Sequence, residues 1–324
     1  MNHEHLEEFG GLPVFDFPER LDDPAPTGAS VDHPEVDMVA WRLAVDWDSE
    51  VPWVDEFDRF LEAMDSTRVR ALVVGTWVHG EGDGFEPVDR VLEKLVAARD
   101  RFPALRSVFL GDITQEENEI SWITQGRITD LLDAYPELTE FAVRGSGDLR
   151  FPAVRHERLE KFTIQTGGLP AEVVRGVAAS DLPELTHLEL WLGTPNYDGD
   201  TEIADLAPIL TGERLPRLRH LALRNSEIQD EVCAALAAAP VVARLESLDV
   251  SMGILTDAGS AALLSGQPLN HLKRLDMHYN YLSPEMCARL SATLSPEVEL
   301  DLDSDDAQSY TFDGEEIRYV SVGE

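Results

Sequence analysis

One spacing of apolar residues recurs along the chain: an apolar position followed by others three and five residues on. It reads Leu105/Val108/Leu110, Leu138/Phe141/Val143, Leu159/Phe162/Ile164, Leu185/Leu188/Leu190, Leu218/Leu221/Leu223, Leu245/Leu248/Val250 and Leu272/Leu275/Met277. Weaker copies precede these at Ala40/Leu43/Val45 and Val69/Leu72/Val74, and a decayed one follows near Val298, Leu300 and Leu302. Side chains alternate across a strand, so offsets three and five lie on one face. Each copy therefore predicts a short strand with that face in the core. From Ala40 to Leu272 the first positions stand 29, 36, 33, 21, 26, 33, 27 and 27 residues apart, which is the signature of a repeat architecture.

Between the strands the apolar period changes to that of a helix. In VDRVLEKLVAARDRF, Val88, Val91, Leu92, Leu95 and Val96 form one stripe. DEFDRFLEAMD, ADLAPILTG, DEVCAALAAAP, DAGSAALLSG and PEMCARLSATL predict further helices, and Pro103, Pro136, Pro183 and Pro216 end helices just before strands. A single strand and helix cannot bury both apolar faces, so the units must stack. The expected fold is α/β, a solenoid of nine to ten parallel strands lining a concave sheet with helices on the convex side. The 21-residue spacing from Leu138 to Leu159 has no room for a full helix, and RGSGDLRFPAVRH is expected to cross as an irregular loop.

The L-x-x-L-x-L segments with helical returns resemble the leucine-rich-repeat superfamily, in particular its ribonuclease-inhibitor-like branch, over roughly residues 36–302. HLEEFGGLPVFDFP, FLGDI with EISWI, and LELWLGTP further resemble an uncharacterised bacterial family of leucine-rich-repeat proteins, common in actinobacteria. The resemblance implies protein–protein interaction through the concave face and names no partner. Asn280 stands where many such repeats carry asparagine, but Gly193, Ser226 and Gly253 replace it elsewhere, so a continuous asparagine ladder is not expected. Residues 1–35, with the Pro- and Asp-rich DDPAPTGASVDHPE, read as a lead-in or cap. Residues 303–324 read as an acidic C-terminal cap, with Asp313-Gly314 marking a hairpin turn.

Offsets two, four and six from each first apolar residue face the concave side. In the N-terminal repeats these positions are small or apolar, and the loops GTWVHGEGDGFEP and GDITQEENEISWITQG are expected to cover them. In the C-terminal repeats they are Arg144, His187, Glu189, Trp191, His220, Arg224, Asp249, Asp276 and His278. Trp and Arg dominate interface hot spots, so this set is the candidate partner-binding patch. The competing reading is an ordinary solvated sheet with Trp191 packed on its neighbours. His187 and His220 occupy matching offsets in adjacent repeats, which leaves a metal- or small-ligand site with Glu189 or Asp249 as the alternative.

Charge adds one constraint. The formal net charge is −36, of which residues 1–50 carry −11 and residues 297–324 carry −9. Such a field repels nucleic acid and anionic membranes, disfavours self-association and is compatible with a basic protein partner. The acidic surface could itself be the function, occupying a basic protein, in which case binding collapses with salt. The opening residues lack a secretory pattern, so a cytoplasmic monomer without a bound cofactor is the expectation. Cys233 and Cys287, each within a helical segment, read as packing residues. DLDSDD imitates a calcium loop but has Phe312 at its twelfth position, GEGDG lacks phosphate-loop context, and His3 with His5 form only a terminal pair. No nucleophile elbow, HExxH, Walker or CxxC motif is present, so the expectation is binding rather than catalysis.

Overall fold

The computed structural model describes residues 4–18, 34–46, 49, 51–77, 87–307, 309–312 and 315–323. Its elements run β1 (Glu8–Phe9), β2 (Leu12–Asp16), β3 (Ala40–Leu43), α1 (Trp53–Ala63), β4 (Ala71–Val74), α2 (Val88–Ala97), β5 (Ser107–Leu110) and α3 (Thr129–Ala134). They continue through β6 (Glu140–Arg144), β7 (Lys161–Gln165), α4 (Ala171–Ala179), β8 (His187–Gly193), α5 (Ile203–Thr211), β9 (His220–Ser226) and α6 (Gln229–Leu236). The last are β10 (Ser247–Asp249), α7 (Asp257–Ser265), β11 (Arg274–Asp276), α8 (Pro284–Thr293), β12 (Glu299–Asp301), β13 (Ser309–Phe312) and β14 (Glu315–Arg318). Among the described residues, twelve strands form one sheet in chain order, parallel from β2 to β12. This is a leucine-rich-repeat solenoid.

The repeat frame survives intact in the register. Leu188 pairs with Leu221, Leu221 with Leu248, and Leu248 with Leu275. All four leucines are buried in one core with Leu185, Leu218, Leu245 and Leu272. Helices close that core from the convex side, and β6 connects to β7 without a helix. Two helices escaped the hydrophobic pattern. α3 is only six residues long, and α4 buries a valine-rich face (Val173, Val174, Val177) whose β-branched composition also suits a strand. Asn280 is buried, donating to the carbonyls of Val250 and Met277 and accepting from the amide of Leu255.

The ends add elements that the repeat pattern does not predict. The two strands beyond the expected ten come from the N-terminus, where β1 and β2 form an antiparallel hairpin and β2 then pairs in parallel with β3. This hairpin covers the apolar concave face of the N-terminal repeats; most of the loop GTWVHGEGDGFEP, expected to do so, lies outside the described residues. Phe9 and Leu12 bury themselves with Ala40, Ala71, Val73, Phe109 and Ala142, and the rings of Phe9 and Phe109 meet edge to face at 5.5 Å. At the other end β13 and β14 form the expected hairpin as a separate two-stranded sheet. The chain beyond it runs back along the C-terminal ends of the strands, so that Ser321 donates to the Met252 carbonyl and Ser121 to the Gly323 carbonyl. GEGDG, His3, most of DDPAPTGASVDHPE and the Asp313-Gly314 turn lie outside the described residues.

Candidate functional site

With its N-terminal half occupied, the concave sheet stays open over the C-terminal repeats. A groove of about 350 Å³ runs there, lined by Glu140, Lys161, Thr163, His187, Glu189, His220, Ala222, Ser247, Asp249, Arg274 and Asp276, with core leucines beneath. Every polar member sits at offset two or four of its repeat. The strand period therefore puts these side chains on the open face and fixes their lateral order through the register Lys161–His187–His220–Ser247–Arg274.

The imidazoles of His187 and His220 stack face to face, 3.8 Å between centroids and 12° from parallel. His187 Nδ1 lies 2.7 Å from the Thr186 hydroxyl, and His220 Nδ1 lies 2.7 Å from that of Ser247. Burial, then the neighbouring His220, pushes His187 down to about 4. Burial also lowers His220. Both rings are consequently neutral near neutral pH. Their lone pairs lie in two parallel planes and cannot converge on one ion, so this stack does not suit a metal.

A second group lies beside the stack. Arg224 reaches across two strands, its NH1 3.5 Å from Glu189 Oε1 and 3.2 Å from Asp249 Oδ2. Trp191 Nε1 donates to Glu189 Oε1 at 2.6 Å, and Asp249 Oδ1 accepts from the amide and hydroxyl of Ser251. Burial raises the Glu189 carboxyl against the opposing pull of Arg224. Further along, His278 Nδ1 lies 2.6 Å from Asp276 Oδ1 and Arg274 NH2 donates to Asp276 Oδ2 at 2.9 Å. Burial alone would push the Asp276 carboxyl up, but these hydrogen bonds outweigh it and hold it well below the usual range. The Asp276 contact in turn raises His278. The possible ligand atoms of Asp276, His278 and Asp301 lie within 4.8 Å of one another. The Arg274 guanidinium, 3.5 Å from Asp301, already supplies the positive charge there.

The structure thus brings His187, Glu189, His220, Arg224, Asp249, Asp276 and His278 together on the C-terminal face. Two expected members are buried rather than open on that face: Trp191 at the edge of the Glu189–Arg224 group, and Arg144 in a different cluster. Trp191 is buried with Ile120, Met252 and Val322, beneath the returning C-terminal segment. The packed alternative for Trp191 is the arrangement present, with part of its apolar cover supplied by the tail, which the repeat pattern does not encode. Arg144 is buried in a separate ionic cluster centred on Asp112, a fully buried carboxylate that also receives Arg42 Nε at 3.1 Å and the Leu6 amide at 3.3 Å. His5 Nδ1 stands 3.5 Å from Asp112, and burial pushes Arg144 down to about 10.

A crystal structure of a Bacteroides fragilis protein, determined by structural genomics, superposes on this chain with a TM-score of 0.76 at 30% sequence identity, covering 86% of this chain and 76% of that one. The two proteins belong to one family. A Listeria monocytogenes internalin is a distant likeness, at a TM-score of 0.41 and 14% identity over 82% of this chain and 67% of the other, and it bears no weight. No protein-family model and no curated protein matches the sequence.

Asp112, Lys161, Glu140 and Ala222 were not singled out as site residues by their sequence setting. Lys161 and Glu140 stand at offset two and face the groove like the histidines. The shared offset was the available signal. Asp112 follows its strand in a loop, outside the repeat frame, and only the fold brings Arg42 and Arg144 to it.

Proposed function

We propose that this protein is a non-catalytic binding scaffold whose C-terminal concave groove docks a protein or peptide. The observation that carries the reading is the contrast between the two halves of one sheet. The N-terminal half has apolar concave residues sealed by the chain's own hairpin, whereas the C-terminal half keeps an uncovered groove of polar and charged side chains at successive repeats. Exposed backbone edges do not account for it, since the groove lies on the sheet's face and its strands are paired on both sides. A chain laid across successive strands meets a different side chain roughly every 4.8 Å, a spacing that a peptide backbone can match. Among the described residues, His187 and His220 bond the hydroxyls of Thr186 and Ser247, but no carboxylate is hydrogen-bonded to the other nitrogen of either ring to complete a nucleophile–base–orienter set.

Selection of a random displayed peptide library on wild-type protein, counter-selected on Ala222→Trp, tests this reading. The scaffold reading expects a family of peptides that bind wild type and lose binding to the filled groove while still binding a convex-helix variant such as Arg175→Glu. Enrichment of peptides indifferent to Ala222→Trp would contradict it.

A further inference from the structure

The groove's floor has one gap. Ala222 on β9 pairs in register with Glu189 on β8 and with Asp249 on β10, so a methyl group stands between two carboxylates. Glu189, Ala222 and Asp249 all line the open groove, which leaves space above the alanine for a further planar cation beside the Arg224 guanidinium. Along β9 the gap is bounded by His220 on one side and Arg224 on the other, since alternate residues share a face.

Charge makes the gap specific. Two carboxylates face one guanidinium there, so the group carries an excess negative charge in a setting walled by protein. Arg224 shows the chemistry on its own side: one guanidinium nitrogen lies within reach of both acids. Burial raises Glu189 although Arg224 pulls it down, and the neighbouring Asp249 adds to the rise. The adjoining His187/His220 stack is neutral near neutral pH and so brings no positive charge to compete for the two acids. The remaining charged neighbours are already matched: Lys161 lies 3.6 Å from Glu140, and Arg274 holds Asp276 and Asp301.

Resting on the scaffold reading, we infer that the groove recognises a basic peptide and that the notch over Ala222 takes an arginine or lysine side chain between Glu189 and Asp249, beside the histidine stack. A guanidinium fits best, because its planar fork can donate to both carboxylates at once. The net charge of −36 supplies the long-range attraction for such a partner.

The test uses N-acetyl-arginine amide as probe and N-acetyl-citrulline amide, its neutral isostere, as control, titrated to millimolar concentration into the full chain. The readout is the NMR cross-peak of the Trp191 indole N–H, which donates to Glu189, assigned with Trp191→Phe. The expected result is a saturable shift with the arginine probe and none with citrulline. Glu189→Gln should weaken the arginine probe at least tenfold, and Ala222→Leu, which keeps both acids and fills the gap, should abolish binding. If Glu189→Gln fails to fold, Ala222→Leu carries the test alone. No saturable shift, an equal response to citrulline, or a response unchanged by Ala222→Leu would overturn the inference. Groove-dependent library peptides that lack a basic residue would overturn it too, while leaving the scaffold reading intact.

Discussion

His187 and His220 stack ring on ring, 3.8 Å between centroids, on adjacent strands of the concave sheet. Protonating either ring places a charge against a stacked neighbour in a partly dehydrated groove. The folded-state affinity of His187 for protons lies at about 4, below the usual 6.5. The unfolded chain therefore takes up its proton first as pH falls, and stability contributed by this residue declines between about pH 6.5 and 4. His278 acts oppositely: its raised value adds stability at low pH that is lost as pH rises through the folded-state value. Urea unfolding of His187→Gln across pH 4 to 7.5 should show a shallower acid decline than wild type. An identical slope would remove the stack from the account.

Asp112 is the keystone of the N-terminal half. It is fully buried and answers both Arg42 and Arg144 while holding the Leu6 amide. Asp112→Ala leaves two buried guanidinium groups without their shared partner, a change that typically costs about 3–5 kcal/mol. Denaturant unfolding should register that loss, whereas Lys94→Ala, which breaks an exposed pair with Asp58, should cost under about 1 kcal/mol.

Trp191 and Trp122 give a matched comparison. Trp191 is 8% exposed within an apolar cluster, and Trp122 is 67% exposed. Trp191→Ala should destabilise by about 3–5 kcal/mol. Trp122→Ala should change stability by no more than about 0.5 kcal/mol. Equal effects would mean that the returning C-terminal segment does not cover Trp191.

Asn225 ties that segment down. Its side-chain amide donates to the Val322 carbonyl at 2.6 Å, its carbonyl accepts from the Val322 amide at 2.9 Å, and its own φ is 53°. Asn225→Ala loses both bonds and adds left-handed strain, for about 2–4 kcal/mol in total. Asn225→Gly, free of the strain, should lose less. Thermal unfolding of the two variants should rank them in that order.

The hydrophobic pattern reveals most of the fold, because burial repeats with the strand period at every unit from Leu105 to Met277. The face of each groove residue follows from the same frame: His187, His220, Glu189 and Asp249 all stand where offset counting puts them. What the pattern hides comes from outside the repeats. The N-terminal hairpin that seals Phe109 and Ala142 and the tail that covers Trp191 both arrive from segments outside the repeat frame. Arg144 obeys the offset rule but meets Asp112, a loop residue, so its exposure depends on contacts between distant segments. Alternation says which face a side chain occupies and nothing of what lies on top.

The NMR footprint of the tightest library-selected peptide on the full chain decides whether this scaffold binds through its open C-terminal groove. Groove binding shifts the His187 and His220 ring resonances and amides of β7 to β10, with the Phe9–Phe109 region and the convex helices unchanged. A footprint on the convex helices or on the acidic C-terminal hairpin, with both imidazoles unmoved, would contradict it.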